Sequence, residues 1–200
     1  MRNFIVEPFV PHASEEEFYV CIQCNRDFDE ILFCSQGGVD VGNVDEKATR
    51  MRIPTGESIT SEQVKTQLVS ETIDPKARES VSKFISELFA VFVDCNFTYL
   101  EINPLVFTSD RIHVLDLAAK LDQTAEFESG KKWNAALKRD ESDPTVIDFP
   151  APFGRDLTRE EQYVAELDAK TGASLKLTIL NKDGRIWTMV AGGGASVAYR

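Results

Sequence analysis

Asp74-Pro75 opens the segment that most restricts what this chain can become. An aspartate stands at a helix cap, a proline in the first turn, and Val81, Phe84, Ile85, Leu88, Phe89 and Phe92 follow at helical spacing. A helix with one apolar stripe holds together only when that stripe is covered, so this segment requires a packed core. Strand-like runs lie on both sides of it. Phe18 to Cys24 and Glu30 to Ser35 are joined by a polar turn around Asn25-Arg26-Asp27. Phe97 to Leu105 and Ile112 to Leu117 flank a turn at Ser109-Asp110. Phe4-Ile5-Val6 reads as one more strand, and residues 43–74 as a polar, mixed stretch with a short helix near Glu62 to Leu68. No internal repeat is present.

After Lys120 the chain turns polar, and Lys138 to Pro144 reads as exposed and mobile. Phe149-Pro150-Ala151-Pro152-Phe153-Gly154 reads as a linker, because closely spaced prolines resist both helix and central strand. Thr158 with Glu161 forms a capping-box pattern for a helix reaching about Asp168. Ser174 to Leu180 and Arg185 to Ala191 read as a hairpin turned by Asn181-Lys182-Asp183-Gly184. The division expected is therefore 1–148, a linker over 149–157, and 158–200. Both ends read as cut: Phe4 to Val6 has nothing before it to pair with, and the element after the last glycine loop is unfinished.

A formal charge of -11 argues against a nucleic-acid backbone as partner, which needs a basic surface. An acidic protein can still bind a nucleotide through backbone amides, a few cations and a metal. No apolar run has the length of a membrane span, and the N-terminus lacks a signal-peptide pattern. Cys21-Ile22-Gln23-Cys24 has a metal-like spacing, but on a strand Cys21 and Cys24 point to opposite faces. Reduced, packed thiols are the reading preferred for Cys21, Cys24, Cys34 and Cys95.

The segments with chemistry are few. With a turn centred between Ser109 and Asp110, an antiparallel hairpin places Asn103 of Glu101-Ile102-Asn103-Pro104-Leu105 opposite Asp116 of Val114-Leu115-Asp116. An amide oxygen and a carboxylate so opposed suit magnesium, which takes one or two protein oxygens and completes its shell with water and phosphate. The same spacing also fits a plain strand end with a solvated aspartate. Glu7-Pro8-Phe9-Val10 fits a connection, Glu15-Glu16-Glu17 a solvated charge run, and Gly37-Gly38 a loop whose backbone can approach a phosphate. Asp168, Thr171 and Ala173 surround a helix end whose carbonyls lack partners; a cation and a glycine cap both answer that need. The amides of Gly192-Gly193-Gly194 can face an anion.

Taken together, these blocks resemble the ATP-citrate lyase family, the ATP-grasp enzymes related to succinyl-CoA synthetase. The resemblance rests on Thr98 to Leu105, Val114 to Lys120, Phe4 to His12, Gly37 to Gly42, Leu167 to Thr178 and Gly184 to Ser196, and so covers almost the whole chain. It implies an α/β fold: an ATP-grasp C-terminal lobe with a mixed or antiparallel sheet, then the start of a citrate- and CoA-ligase domain. It implies ATP contacts at Glu7, Pro8, Val10, Glu17 and Asp116, with Glu17 near the sugar. It implies Mg2+ at Asn103 and Asp116, a second cation at Asp168, Thr171 and Ala173, and citrate near Gly193 and Gly194. The reaction implied converts citrate and CoA to acetyl-CoA and oxaloacetate through a phosphohistidine and citryl-phosphate, in the cytosol, in a homotetramer, feeding lipid synthesis. The phosphorylated histidine of the family falls beyond Arg200, so neither His12 nor His113 is expected to fill that role and the chain alone is not expected to turn over. The alternatives are a succinyl-CoA synthetase β-subunit and a non-catalytic assembly partner. Asn134 to Thr145 reads as a polar insertion relative to the animal members of the family.

Overall fold

A computed structural model describes residues 6–38, 42, 44–108, 111–137, 156–171 and 175–190. The chain forms two compact units, 1–147 and 148–200.

The first unit is a mixed α/β body around a six-stranded sheet. Its strands are β1 (Glu17–Cys24), β2 (Phe28–Cys34), β3 (Thr49–Pro54), β4 (Phe97–Thr108), β5 (Arg111–Val114) and β6 (Leu117–Leu121). They run β3-β2-β1-β4-β5, with β6 also on β4, and every neighbouring pair is antiparallel. The helices are α1 (Val44–Lys47), α2 (Ser61–Gln67), α3 (Pro75–Asp94) and α4 (Glu126–Leu137).

Alternation along the strands sends Phe18, Val20, Ile22, Ile31, Phe33, Leu100 and Ile102 to one face, where they meet Val81, Ile85, Phe89 and Phe92 of α3. The helix starts where the sequence indicates. Asp74 Oδ1 accepts from the Lys76 and Ala77 amides at 3.0 and 3.1 Å, and Pro75 needs no partner for its nitrogen. Phe84 and Leu88, at the margin of the stripe, are only partly buried. Arg78 then ties α3 to α2: its guanidinium donates to the Lys65 carbonyl at 2.6 Å and the Val69 carbonyl at 3.2 Å, around the C-terminal end of α2.

Two elements of this unit escape a reading by pattern. β3 alternates Arg50 and Arg52 with buried Met51 and Ile53, so two cations disguise a half-buried strand. α4 runs through the stretch that reads only as polar, including the first four residues of the supposed insertion. It is anchored by one large side chain, Trp133, whose indole N–H donates to the Cys95 carbonyl at 2.8 Å. The expected strand Ile112 to Leu117 is two short strands broken at Leu115-Asp116. Val6 is outside any strand and almost fully exposed, and Phe4 and Ile5 lie outside the described residues.

In the second unit α5 (Arg159–Lys170) opens with the expected capping box, Thr158 and Glu161 exchanging side-chain-to-backbone hydrogen bonds of 3.3 and 2.8 Å. The turn at Asn181–Gly184 is formed, its Gly184 amide donating to the Asn181 carbonyl at 3.1 Å. Its flanks are not strands in residues 175–180 and 185–190, which corrects the expected hairpin. A two-stranded ribbon with Leu180, Ile186, Trp187 and Met189 largely exposed has too little burial to stand by itself. Two carboxylates of α5 hold this segment instead: Asp168 Oδ1 accepts from the Leu175 amide at 2.6 Å, and Glu161 Oε1 from the Ile179 amide at 2.7 Å.

Candidate functional site

Because Phe18 faces the helices, Glu17 and Tyr19 emerge on the opposite face of the sheet. There the Gly37-Gly38 loop, which follows β2, folds back onto the start of β1. The Gly37 amide donates to the Glu17 carbonyl at 2.9 Å, and a Cβ on Gly37 would stand 2.6 Å from the Phe18 carbonyl oxygen. Gly38 has φ +92, and its Cβ would stand 2.1 Å from Glu17 Oε2. Only glycine fits either position.

The Gly38 amide donates to Asn103 Oδ1 at 2.7 Å, which fixes the orientation of that side-chain amide. Asn103 sits at an irregularity: the β1–β4 register slips between Phe18 and Val20, so Asn103 and Pro104 together oppose Tyr19. The Asn103-Pro104 peptide is cis. Across β4 the register is continuous through the break in the return strand. Leu105 pairs Val114, Ile102 pairs Leu117, and between them the Asn103 amide donates to the Asp116 carbonyl at 3.2 Å. Asn103 and Asp116 are thus directly opposed across this break, as the hairpin spacing predicts. Asp116 is exposed, and Asn103 Oδ1 keeps a second lone pair.

The approach to this pair is ordered by His12. Its Nδ1 lies 2.7 Å from the Val10 carbonyl and its Nε2 3.0 Å from Glu17 Oε1. The Val10 contact, resisted by desolvation and reinforced by Glu17, holds the His12 pKa above the usual imidazole value. One connected set therefore runs Val10, His12, Glu17, Gly38, Asn103, Asp116. Glu7 and Pro8 are exposed on the extended segment leading to Val10. The bridging position of His12 has no pattern in sequence, since it depends on Glu17 being folded back beside it.

The same face carries a second polar cluster. Glu30 is almost buried and accepts from Gln23, Arg50 and Arg52, each at 2.9 Å. Burial works to raise its pKa, but the bonds from Arg52, Gln23 and Arg50 outweigh that and hold it below the ordinary value. The Tyr99 hydroxyl donates to Glu101, and burial together with that carboxylate pushes the phenol pKa up. Cys21 and Cys34 are buried here and Cys24 is exposed, and none of the three is in a disulfide.

Among the described residues no three His, Cys, Asp or Glu side chains converge as a metal cage. The Asn103–Asp116 pair offers two oxygens, a donor set that suits an ion sharing its shell with phosphate and water. A cavity of about 530 Å3 lies on the helix side of the sheet, by Phe18, Ile73 and Phe107, and takes in neither Asn103 nor Asp116. An exposed sheet face has no depth until another wall closes over it, so the donor chemistry marks the site better than cavity volume does. In the second unit Asp168 Oδ1 is taken by the Leu175 amide and Thr171 caps α5; Ala173, Gly193 and Gly194 lie outside the described residues.

Comparison with known proteins gives the family. Residues 1–133 match the model of the ATP-citrate synthase ATP-grasp domain, and residues 155–200 that of the ATP citrate lyase citrate-binding domain. The whole chain is 53% identical over 199 residues to the ATP-citrate synthase of Bos taurus, covering 17% of that protein. It is 50% identical over 222 residues to the probable ATP-citrate synthase subunit 2 of Schizosaccharomyces pombe, covering 44% of it. A solved ATP citrate lyase from Methanothrix soehngenii, in complex with citrate and coenzyme A, superposes with a TM-score of 0.72 at 42% identity, over 96% of this chain and 42% of that one. The chain spans less than half the length of these relatives, and its sheet, its helices and its sequence from end to end place it in the ATP-citrate synthase family.

Proposed function

We propose that this chain supplies the magnesium–nucleotide surface of an ATP-citrate synthase, the enzyme that spends ATP to join citrate to CoA and release acetyl-CoA and oxaloacetate. The observation carrying this reading is the direct opposition of Asn103 and Asp116, with the Gly38 amide steering the asparagine oxygen. In phosphoryl transfer the protein mainly positions groups and neutralises charge. Asn103 and Asp116 would hold the magnesium ion, which would supply that neutralisation. Glu17 accepts hydrogen bonds from the ribose hydroxyls, and the extended backbone at Glu7, Pro8 and Val10 offers its polar groups to the base. Asp168 and Thr171, with Ala173, are the candidates for a second cation, and Gly193 and Gly194 for citrate. The phosphate then passes through a histidine to citrate, and CoA displaces it.

The alternative of a succinyl-CoA synthetase β-subunit shares the Asn103/Asp116 hairpin; the match of residues 155–200 to a citrate-binding model favours the synthase. Thermal denaturation separates both from a non-catalytic assembly partner. Mg-ATP is expected to raise the melting temperature, ATP with a chelator much less so. An assembly partner shows no shift with either.

A further inference from the structure

We propose that His12 is an imidazolium clamp, held between the Val10 carbonyl and the Glu17 carboxylate, that positions Glu17 for the nucleotide and makes nucleotide affinity fall as pH rises. The proposal rests on the nucleotide-site reading above and adds a positioning residue to it.

A backbone carbonyl only accepts, and so does an ionised carboxylate. His12 Nδ1 faces the first at 2.7 Å and Nε2 the second at 3.0 Å. A neutral imidazole has one N–H and would leave one of these contacts as two acceptors facing each other. Both contacts are satisfied together only when both nitrogens carry protons. The ring and the carboxylate are largely enclosed, with side chains 15% and 18% exposed, so the pair is less screened than a surface ion pair.

The charged groups around the ring are consistent with this state. Glu17 is the direct partner. Glu16, the other carboxylate acting on the ring, accepts from the Ala13 amide at 2.7 Å and adds attraction without competing for the imidazole. Among the described residues His12 is the cation paired with Glu17. The two oxygens of Glu17 are divided: Oε1 takes the imidazole, and Oε2 points to Gly38. Deprotonating His12 would free Glu17 to rotate and leave an uncompensated carboxylate beside a polyanionic ligand. Both effects weaken nucleotide binding in the same direction.

The chain has two histidines, so imidazole nitrogen NMR on the 15N-labelled protein, assigned with His113→Gln, reads the proton state directly. Both nitrogens of His12 are expected to be protonated at pH 6, with a titration midpoint above the ordinary imidazole value. Mg-ATP titrations between pH 6 and 9 are expected to show affinity falling about tenfold, the loss typical of a charge-assisted contact. His12→Gln is expected to bind at the weak limit across that range, its profile giving the contribution of ATP's own titration. A singly protonated ring at pH 6, or a wild-type profile superposing on that of His12→Gln, overturns the proposal. A doubly protonated ring in a chain that binds no Mg-ATP at any pH instead overturns the nucleotide-site reading, and the positioning role with it.

Discussion

The two faces of the sheet in the first unit are made by the same strands and serve opposite ends. On the helix side, alternate residues of four strands lock against α3 in an apolar core. On the other side, their immediate neighbours are Glu17, Tyr19, Cys21, Glu30, Tyr99 and Glu101, with Asn103 at the irregularity within β4 and Asp116 opposite it in the break between β5 and β6. The difference shows what packing does for a site. Sliding a strand by one residue would exchange its two faces, so the apolar side forbids the slip and thereby fixes where the polar side chains stand. The site is placed by residues that never touch it.

That comparison can be broken from either side, and the core is the more expensive one. Phe92 is 2% exposed and stacks with Phe89 and Phe97 at ring separations of 6.4 and 6.1 Å. Phe92→Ala is expected to cost about 3–5 kcal/mol in urea unfolding. An effect below about 1 kcal/mol would mean that the helix side is not what fixes the sheet.

On the polar side the expected effects are smaller in stability and larger in binding. Gly38→Ala forces a side chain into a positive-φ position against Glu17, so about 1–3 kcal/mol of local strain is expected. Because the Gly38 amide also holds Asn103, Mg-ATP affinity should drop in the same variant; calorimetric titration that finds it unchanged would separate the glycine loop from the site.

Glu30→Ala is expected to cost about 1–2 kcal/mol, since Arg50 and Arg52 remain solvated, at 43% and 68% side-chain exposure, when their carboxylate is removed. Mg-ATP affinity should be unaltered, which distinguishes a polar group that holds strands together from one that holds a ligand.

The smallest effect is the pH profile of stability. Glu30 has its folded pKa below the ordinary 4.5, so its contribution is present above that value and is lost as pH falls through the lowered one. His12 has its folded pKa above 6.5, so its contribution is full below 6.5 and is lost as pH rises through the raised one. Denaturant midpoints are expected to be flat between about 4.5 and 6.5 and to decline on either side, with His12→Gln abolishing the alkaline decline.

Much of this was legible in the sequence, and the parts that were not have physical causes. The α3 stripe, the β1–β2 hairpin, the Thr158–Glu161 cap and the opposition of Asn103 to Asp116 all follow from local periodicity and turn spacing. β3 was hidden because Arg50 and Arg52 occupy its polar side, and their reason for being there, Glu30, lies on another strand. α4 was hidden because one tryptophan and a bond to Cys95 replace the usual stripe. The return strand was read as continuous because nothing local signals its break at Leu115-Asp116. His12 follows closely on the Glu7 to Val10 segment, but a bridge between Val10 and Glu17 exists only once the chain has turned at residues 14–16.

On the proposed reading Asp116 and Asn103 share one hard cation that carries a nucleotide. Isothermal titration of ATP into the wild-type chain and into Asp116→Ala, each with and without magnesium, tests it most directly. Magnesium-dependent binding is expected in the wild type, with a loss of at least about tenfold in Asp116→Ala and most of the magnesium dependence gone. Equal affinity and equal magnesium dependence in the two proteins would contradict it.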